Sequence, residues 1–101
     1  MLQAQIFIDK DELHGTKPLF EFVMQFLLLN HVKGATAFKG TMGFGSAQQV
    51  KRPNELFSFD EPPMMITFID EEKKVQEVLK KFRKEYRGGF IITNHVDFFE
   101  A

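Results

Sequence analysis

Residues 3–9 alternate, with Ala4, Ile6 and Ile8 on one side of the chain and Gln3, Gln5, Phe7 and Asp9 on the other. A two-residue period is the mark of a half-buried strand, because successive side chains leave opposite faces of the backbone. A polar run, 11–17, follows. Thr16, two residues before Pro18, marks a helix start, since the N–H that proline lacks has no partner in the first helical turn. The helix predicted over about 17–31 carries Leu19, Phe22, Val23, Phe26 and Leu29 along one stripe. Phe20, Met24, Leu27 and Leu28 form a second stripe, so burial on more than one side is expected. Gly34 closes this region, and 35–42 opens a second extended segment.

Residues 64–69 predict a third strand, with Met64, Ile66 and Phe68 opposite Met65, Thr67 and Ile69. Asp70 is placed to cap the second helix, with Glu71 and Glu72 in a first turn whose dipole favours anions. Val75, Val78, Leu79, Phe82 and Tyr86 follow helical spacing, and Glu77 and Lys81 stand four apart on the outer face. Gly88 or Gly89 stops this helix, and 90–96 is the last main strand. Between the second and third strands, 43–52 is a glycine-punctuated loop followed by Pro53 and Asn54, and 56–59 forms a short edge strand. So long a connection is uncommon in a compact domain, and the stretch of about 43–54 reads as a mobile loop. The order strand, helix, strand, strand, helix, strand is the split β-α-β pattern of an α+β, ferredoxin-like sandwich: one domain, 1–101, with two helices on one face of an antiparallel sheet.

The other sheet face decides what the domain does in water. If Ile6, Ile8, Met64, Ile66, Phe68, Phe90 and Ile92 face the helices, then Phe7, Met65, Ile69 and Ile91 point away. Burying those four contributes roughly 6–12 kcal/mol per subunit at about 1.5–3 kcal/mol each. Of the 101 residues 44% are hydrophobic and 13 are Phe, more large apolar surface than a thin core hides. An oligomer is the favoured reading. The alternative is a monomer whose tail, 97–101 with Phe98 and Phe99, folds over that face.

Charge and cysteine content narrow the function. Thirteen Lys and Arg against fourteen Asp and Glu give a formal charge of −1, which lends no support to nucleic-acid binding. Without cysteine there is no disulfide, thiolate nucleophile or Cys-based zinc site. The first ten residues lack the pattern of a signal peptide, and the most apolar stretch, 19–29, is too short to span a bilayer. A bacterial or archaeal cytoplasm is the expected location, with no membrane insertion.

The strongest local signal is Lys39-Gly40-Thr41-Met42-Gly43-Phe44-Gly45-Ser46. Three glycines let successive N–H groups form an anion-binding nest, to which Lys39, Lys51 and Arg52 add positive charge. The same glycines serve a β-bulge and tight turn equally well. No Gly-Lys-Ser/Thr triplet opens a helix, so this is not a Walker A loop. Arg83, Lys84, Arg87, Gly88 and Gly89 form a basic helix end running into a glycine pair. This reads as a phosphate clamp or, more simply, as cations complementing the helix dipole before a glycine cap. His14, His31 and His95 have no metal-ligand spacing, and no serine has a recognisable histidine partner. No catalytic residue is assigned, and the expected role is not enzymatic.

Lys17-Pro18-Leu19-Phe20-Glu21, then Gly34-Ala35-Thr36-Ala37, then the 39–45 block and Pro62-Pro63-Met64-Met65-Ile66, taken in this order, resemble the bacterial and archaeal family known as domain of unknown function 190. Phe20 stands where that family often has Tyr, and Lys39 where it often has Arg. The family is similar to the PII nitrogen-regulatory proteins. The resemblance implies a homotrimer with a mobile loop between the second and third strands and an adenine nucleotide held between subunits. Gly43-Phe44-Gly45 looks like the start of the PII loop, and Gly88-Gly89-Phe90 like the end of the PII turn before the last strand. The turn here is shorter and carries fewer cations, which points to a smaller or differently held ligand than a triphosphate. The resemblance thus brings Lys39, Gly40, Gly43, Phe44 and Gly45 together with Arg87, Gly88 and Gly89 of a neighbour. The expected function is a ligand-responsive sensor. The alternative is a trimeric adaptor that binds a membrane transporter or another protein through 43–60, without a small ligand.

Overall fold

The computed structural model describes residues 1–42 and 63–99. In chain order the elements are β1 (Leu2–Asp9), β2 (Leu13–His14), β3 (Lys17–Pro18), α1 (Leu19–Leu29), β4 (Ala35–Lys39), β5 (Pro63–Asp70), α2 (Glu72–Glu85) and β6 (Phe90–His95). The four long strands form one sheet in the order β4-β5-β1-β6, with every neighbouring pair antiparallel. This is the α+β, ferredoxin-like arrangement expected from the element order. The loop expected over 43–54 and the short strand expected over 56–59 lie outside the described residues.

Alternation in β1 sets the layers. Leu2, Ala4, Ile6 and Ile8 are buried in one core with Leu19, Val23 and Leu27 of α1 and with Val75, Val78 and Phe82 of α2, so both helices cover the same sheet face. Phe82 joins the helices through its ring, at 6.4 Å from Phe22 and 5.5 Å from Phe26. Leu29, expected on the core stripe of α1, is 74% exposed. The buried line runs Leu19, Val23, Leu27, and at about 100° per residue Leu29 stands roughly opposite Leu27.

The ends of the helices differ from expectation for identifiable reasons. β2 and β3 pair in a hairpin turned by Gly15 at φ 66°, which takes 17–18 out of the helix, and Pro18 rather than Thr16 stands at its start. At the other end Asn30 caps α1, its side-chain amide donating to the Phe26 carbonyl at 2.8 Å. Asp70 is not the cap of α2. It ends β5, and Glu71 precedes the helix without a side-chain capping bond. The Asp70 side chain is buried and accepts the N–H groups of Lys33 (3.1 Å) and Glu71 (2.7 Å). These two donors compensate its burial and tie the exit of α1 to the entry of α2. Finally α2 stops at Glu85, where Tyr86 is already extended, so neither Gly88 nor Gly89 is the helix stop.

The register also corrects the open face. Phe90 pairs with Phe7, and Ile92 with Gln5, so both project away from the helices, while Ile91, paired with Ile6, packs against the core. Opposed residues share a face, so Phe38, Met65, Phe7 and Phe90 form one apolar row across all four strands. Phe38 and Phe90 are 51% and 64% exposed. The described part of the tail does not cover them: Phe98 and Phe99 are themselves 71% and 92% exposed.

Truncating Phe82 to Ala should cost about 3–5 kcal/mol of unfolding free energy in urea titration, as expected for a buried aromatic. Leu29→Ala should stay within about 0.5 kcal/mol. Equal losses would show that α1 is turned differently against the sheet.

Candidate functional site

Lys39, exposed, ends β4 opposite Met64. The next N–H, of Gly40, donates to the Pro63 carbonyl at 2.7 Å. A Cβ on Gly40 would stand 2.9 Å from Pro63 Cγ and 3.1 Å from its carbonyl oxygen, so the close backbone approach requires glycine. Gly43, Phe44 and Gly45 lie outside the described residues.

The second segment is built on the exit of α2. Arg83 donates from Nη1 to the carbonyls of Gly88 (2.6 Å) and Tyr86 (3.4 Å), pinning the turn. Its guanidinium is therefore committed to the backbone, and Arg87 is the exposed cation of the turn. Lys80, Arg83, Lys84 and Arg87 line a shallow, open, basic surface beside Leu79. Gly89 takes φ 73°, and a Cβ there would meet the Phe7 carbonyl at 3.0 Å and Ile8 Cγ2 at 3.1 Å. Both the dihedral and the close passage exclude a side chain.

Tyr86 was read from the sequence only as a core position of α2, yet it organises this turn. Its hydroxyl donates to the Glu12 carboxylate, and its ring occupies the space a Cβ on Gly88 would need. His14 stacks on Phe22 at 3.9 Å and meets Tyr86 edge-on at 6.4 Å. Burial, and then the bond and charge of Glu12, hold the phenol proton well above its ordinary range near 10. Nothing in the sequence pairs residues 74 positions apart, so this bond was not legible there.

The two segments lie at the same end of the sheet and on opposite edges. Lys39 aligns with Met64, and Met64 with Ile8, whose neighbourhood receives Gly89. At roughly 4.8 Å per strand spacing, β4 and β6 are about 14 Å apart. Among the described residues no group of three or more His, Asp or Glu side chains is arranged to hold a metal ion, and no helix is long and apolar enough to cross a membrane.

A sheet in this order with both helices on one face defines a ferredoxin-like fold. Solved structures agree. CPII, a nitrogen regulatory PII-like protein from Thiomonas intermedia K12 bound to ADP, AMP and bicarbonate, superposes with a TM-score of 0.64 at 22% identity, covering 92% of this chain and 82% of that one. CPII from the same organism bound to ADP and bicarbonate gives a TM-score of 0.61, also at 22% identity and with the same coverage of both chains. A UPF0166 protein of Aquifex aeolicus (strain VF5) is 26% identical over 85 residues, 83% of this chain and 80% of that protein. The family model for domain of unknown function 190, described as uncharacterized ACR, matches residues 1–98, and the chain belongs to that family.

Because the folded state keeps the Tyr86 proton that an unfolded chain loses near pH 10, stability should fall as pH rises above about 10. Tyr86→Phe has no such proton to lose. Urea midpoints measured from pH 8 to 11 should therefore decline less steeply for the variant, and parallel declines would show that Tyr86 is not held this way.

Proposed function

We propose that this chain is a ligand-responsive, PII-like sensor of the cytoplasm that assembles as a homotrimer and binds an adenine nucleotide between subunits. Lys39, Gly40, Gly43, Phe44 and Gly45 of one copy form one side of the site. Arg87, Gly88 and Gly89 of the next form the other, and the role is binding, not catalysis. The observation that carries this reading is the placement of the two segments at one end of the sheet but on opposite edges. Sharing the site between copies brings both segments to one ligand without spanning the sheet, and the contact is then head-to-tail. Head-to-tail contacts close into rings when the rotation allows, whereas a two-fold contact would set like edges together. The nucleotides bound to CPII support an adenine nucleotide as the ligand, and Lys39 and Arg87, both exposed, suit a mono- or diphosphate.

AMP or ADP at 100 times its dissociation constant should stabilise the protein by about 2.7 kcal/mol, read as a rise of several degrees in melting temperature. Lys39→Ala and Arg87→Ala should each abolish the shift. Refolding the two variants together should restore about a quarter of the sites, because some junctions then pair an intact Lys39 with an intact Arg87. No shift with any adenine nucleotide, together with partner capture that depends on 43–60, would favour the ligand-free adaptor.

A further inference from the structure

Two apolar features play no part in the nucleotide site, and both lie at the other end of the sheet. One is a groove of about 290 Å³ between α1 and the start of β4, lined chiefly by Met24, Leu28, Val32 and Ala35, with Gln25 and Lys33 among its polar members. Leu28 there is 73% exposed. The other is the segment after β6. The Val96 N–H donates to the Met1 carbonyl at 3.1 Å, fixing where the tail leaves, and the exposed rings of Phe98 and Phe99 follow.

Strand register relates them. Ala35 pairs with Phe68, Phe68 with Ala4, and Ala4 with Thr93, so the groove lies at the outer edge of β4 and the tail leaves from the outer edge of β6. Three strand spacings, about 14 Å, separate those edges. Phe98 and Phe99 are two and three residues past Val96, roughly 7 and 10 Å of extended chain, which falls short of the groove of their own copy. Charge adds direction: exposed Asp97 precedes the two rings, and exposed Lys33 borders the groove.

We infer that the groove between α1 and β4 receives Phe98 and Phe99 from a second copy of this chain, with Asp97 set against Lys33. The exchange requires no nucleotide. It shares with the sensor reading only the sense of assembly, from the β6 edge of one copy to the β4 edge of the next. Two apolar rings leaving water for an apolar groove supply most of the driving force, and the ion pair at the rim sets register and adds a smaller share of the attraction.

The chain contains no cysteine, which makes a cross-linking test clean. The double variant Leu28→Cys, Phe98→Cys should, on mild oxidation at micromolar concentration, give a ladder of covalent oligomers on a non-reducing gel that collapses with reductant. Either single variant should stay unlinked. Adding Arg87→Ala should leave the ladder unchanged, so a failure of nucleotide binding would not be mistaken for a failure of this contact. Asp97→Lys and Lys33→Asp should each weaken assembly several-fold in sedimentation, and the two together should restore it. A gel showing only unlinked monomer, or a fast-migrating monomer bridged to its own tail, would overturn the proposal.

Discussion

Backbone pairing of β1 on both sides, to β5 and to β6, is the constraint from which the remaining geometry follows. Its helix-side residues are all buried, so a slip of one residue would carry Ala4 and Ile6 to the open face and bring Gln5 into the core. That cost locks both registers at once. With them locked, the Phe7 carbonyl sits where only a glycine can pass, and Gly89 is that glycine. The exit of β1 leads to Glu12, which accepts the Tyr86 hydroxyl and so holds the turn from the hairpin side.

Among the described residues the four-stranded sheet, with helices on one face, has two unpaired edges and one uncovered face, and this chain places chemistry on all three. Lys39 with Gly40 stands at one edge and Arg87 with the Gly88-Gly89 turn at the other, both at the end where β1 finishes. At the end where β1 starts, one edge has an apolar groove and the other an apolar tail. Each pair is complementary and each pair is split between edges. On the proposed reading, a second copy brings each pair together.

The strongly periodic parts of this fold were legible in the sequence: the alternation of β1, the amphipathic α2, and the element order that gives the sandwich. Parity in β6 was not, because Phe90, Ile91 and Ile92 are consecutive apolar residues and a two-residue period cannot say which of them faces inward. It was settled by the pairing of Phe90 with Phe7. Asp70 was read as a cap because Asp before a helix usually is one, and the Lys33 N–H that claims it lies 37 residues away. In the candidate site, Gly40 and Gly89 were legible as positions with a backbone reason to be glycine. The reason itself, Pro63 for one and the Phe7 carbonyl for the other, is a tertiary contact.

The open face alone does not decide assembly. Burying Phe38, Met65, Phe7 and Phe90 fully is worth about 1.5–3 kcal/mol per residue, an upper bound here because Phe7 and Met65 are already half-buried. Association costs on the order of 4–15 kcal/mol before any contact is counted. In the proposed assembly the apolar row therefore brings a subunit close to balance, and the edges tip it. That division of labour suits a sensor. A face that held the ring with a large surplus would leave a ligand bound at the edges little influence, since a ligand shifts an equilibrium only by its differential affinity for the two states. Near balance, a few kcal/mol of binding free energy at a site shared between copies is enough to alter how they sit.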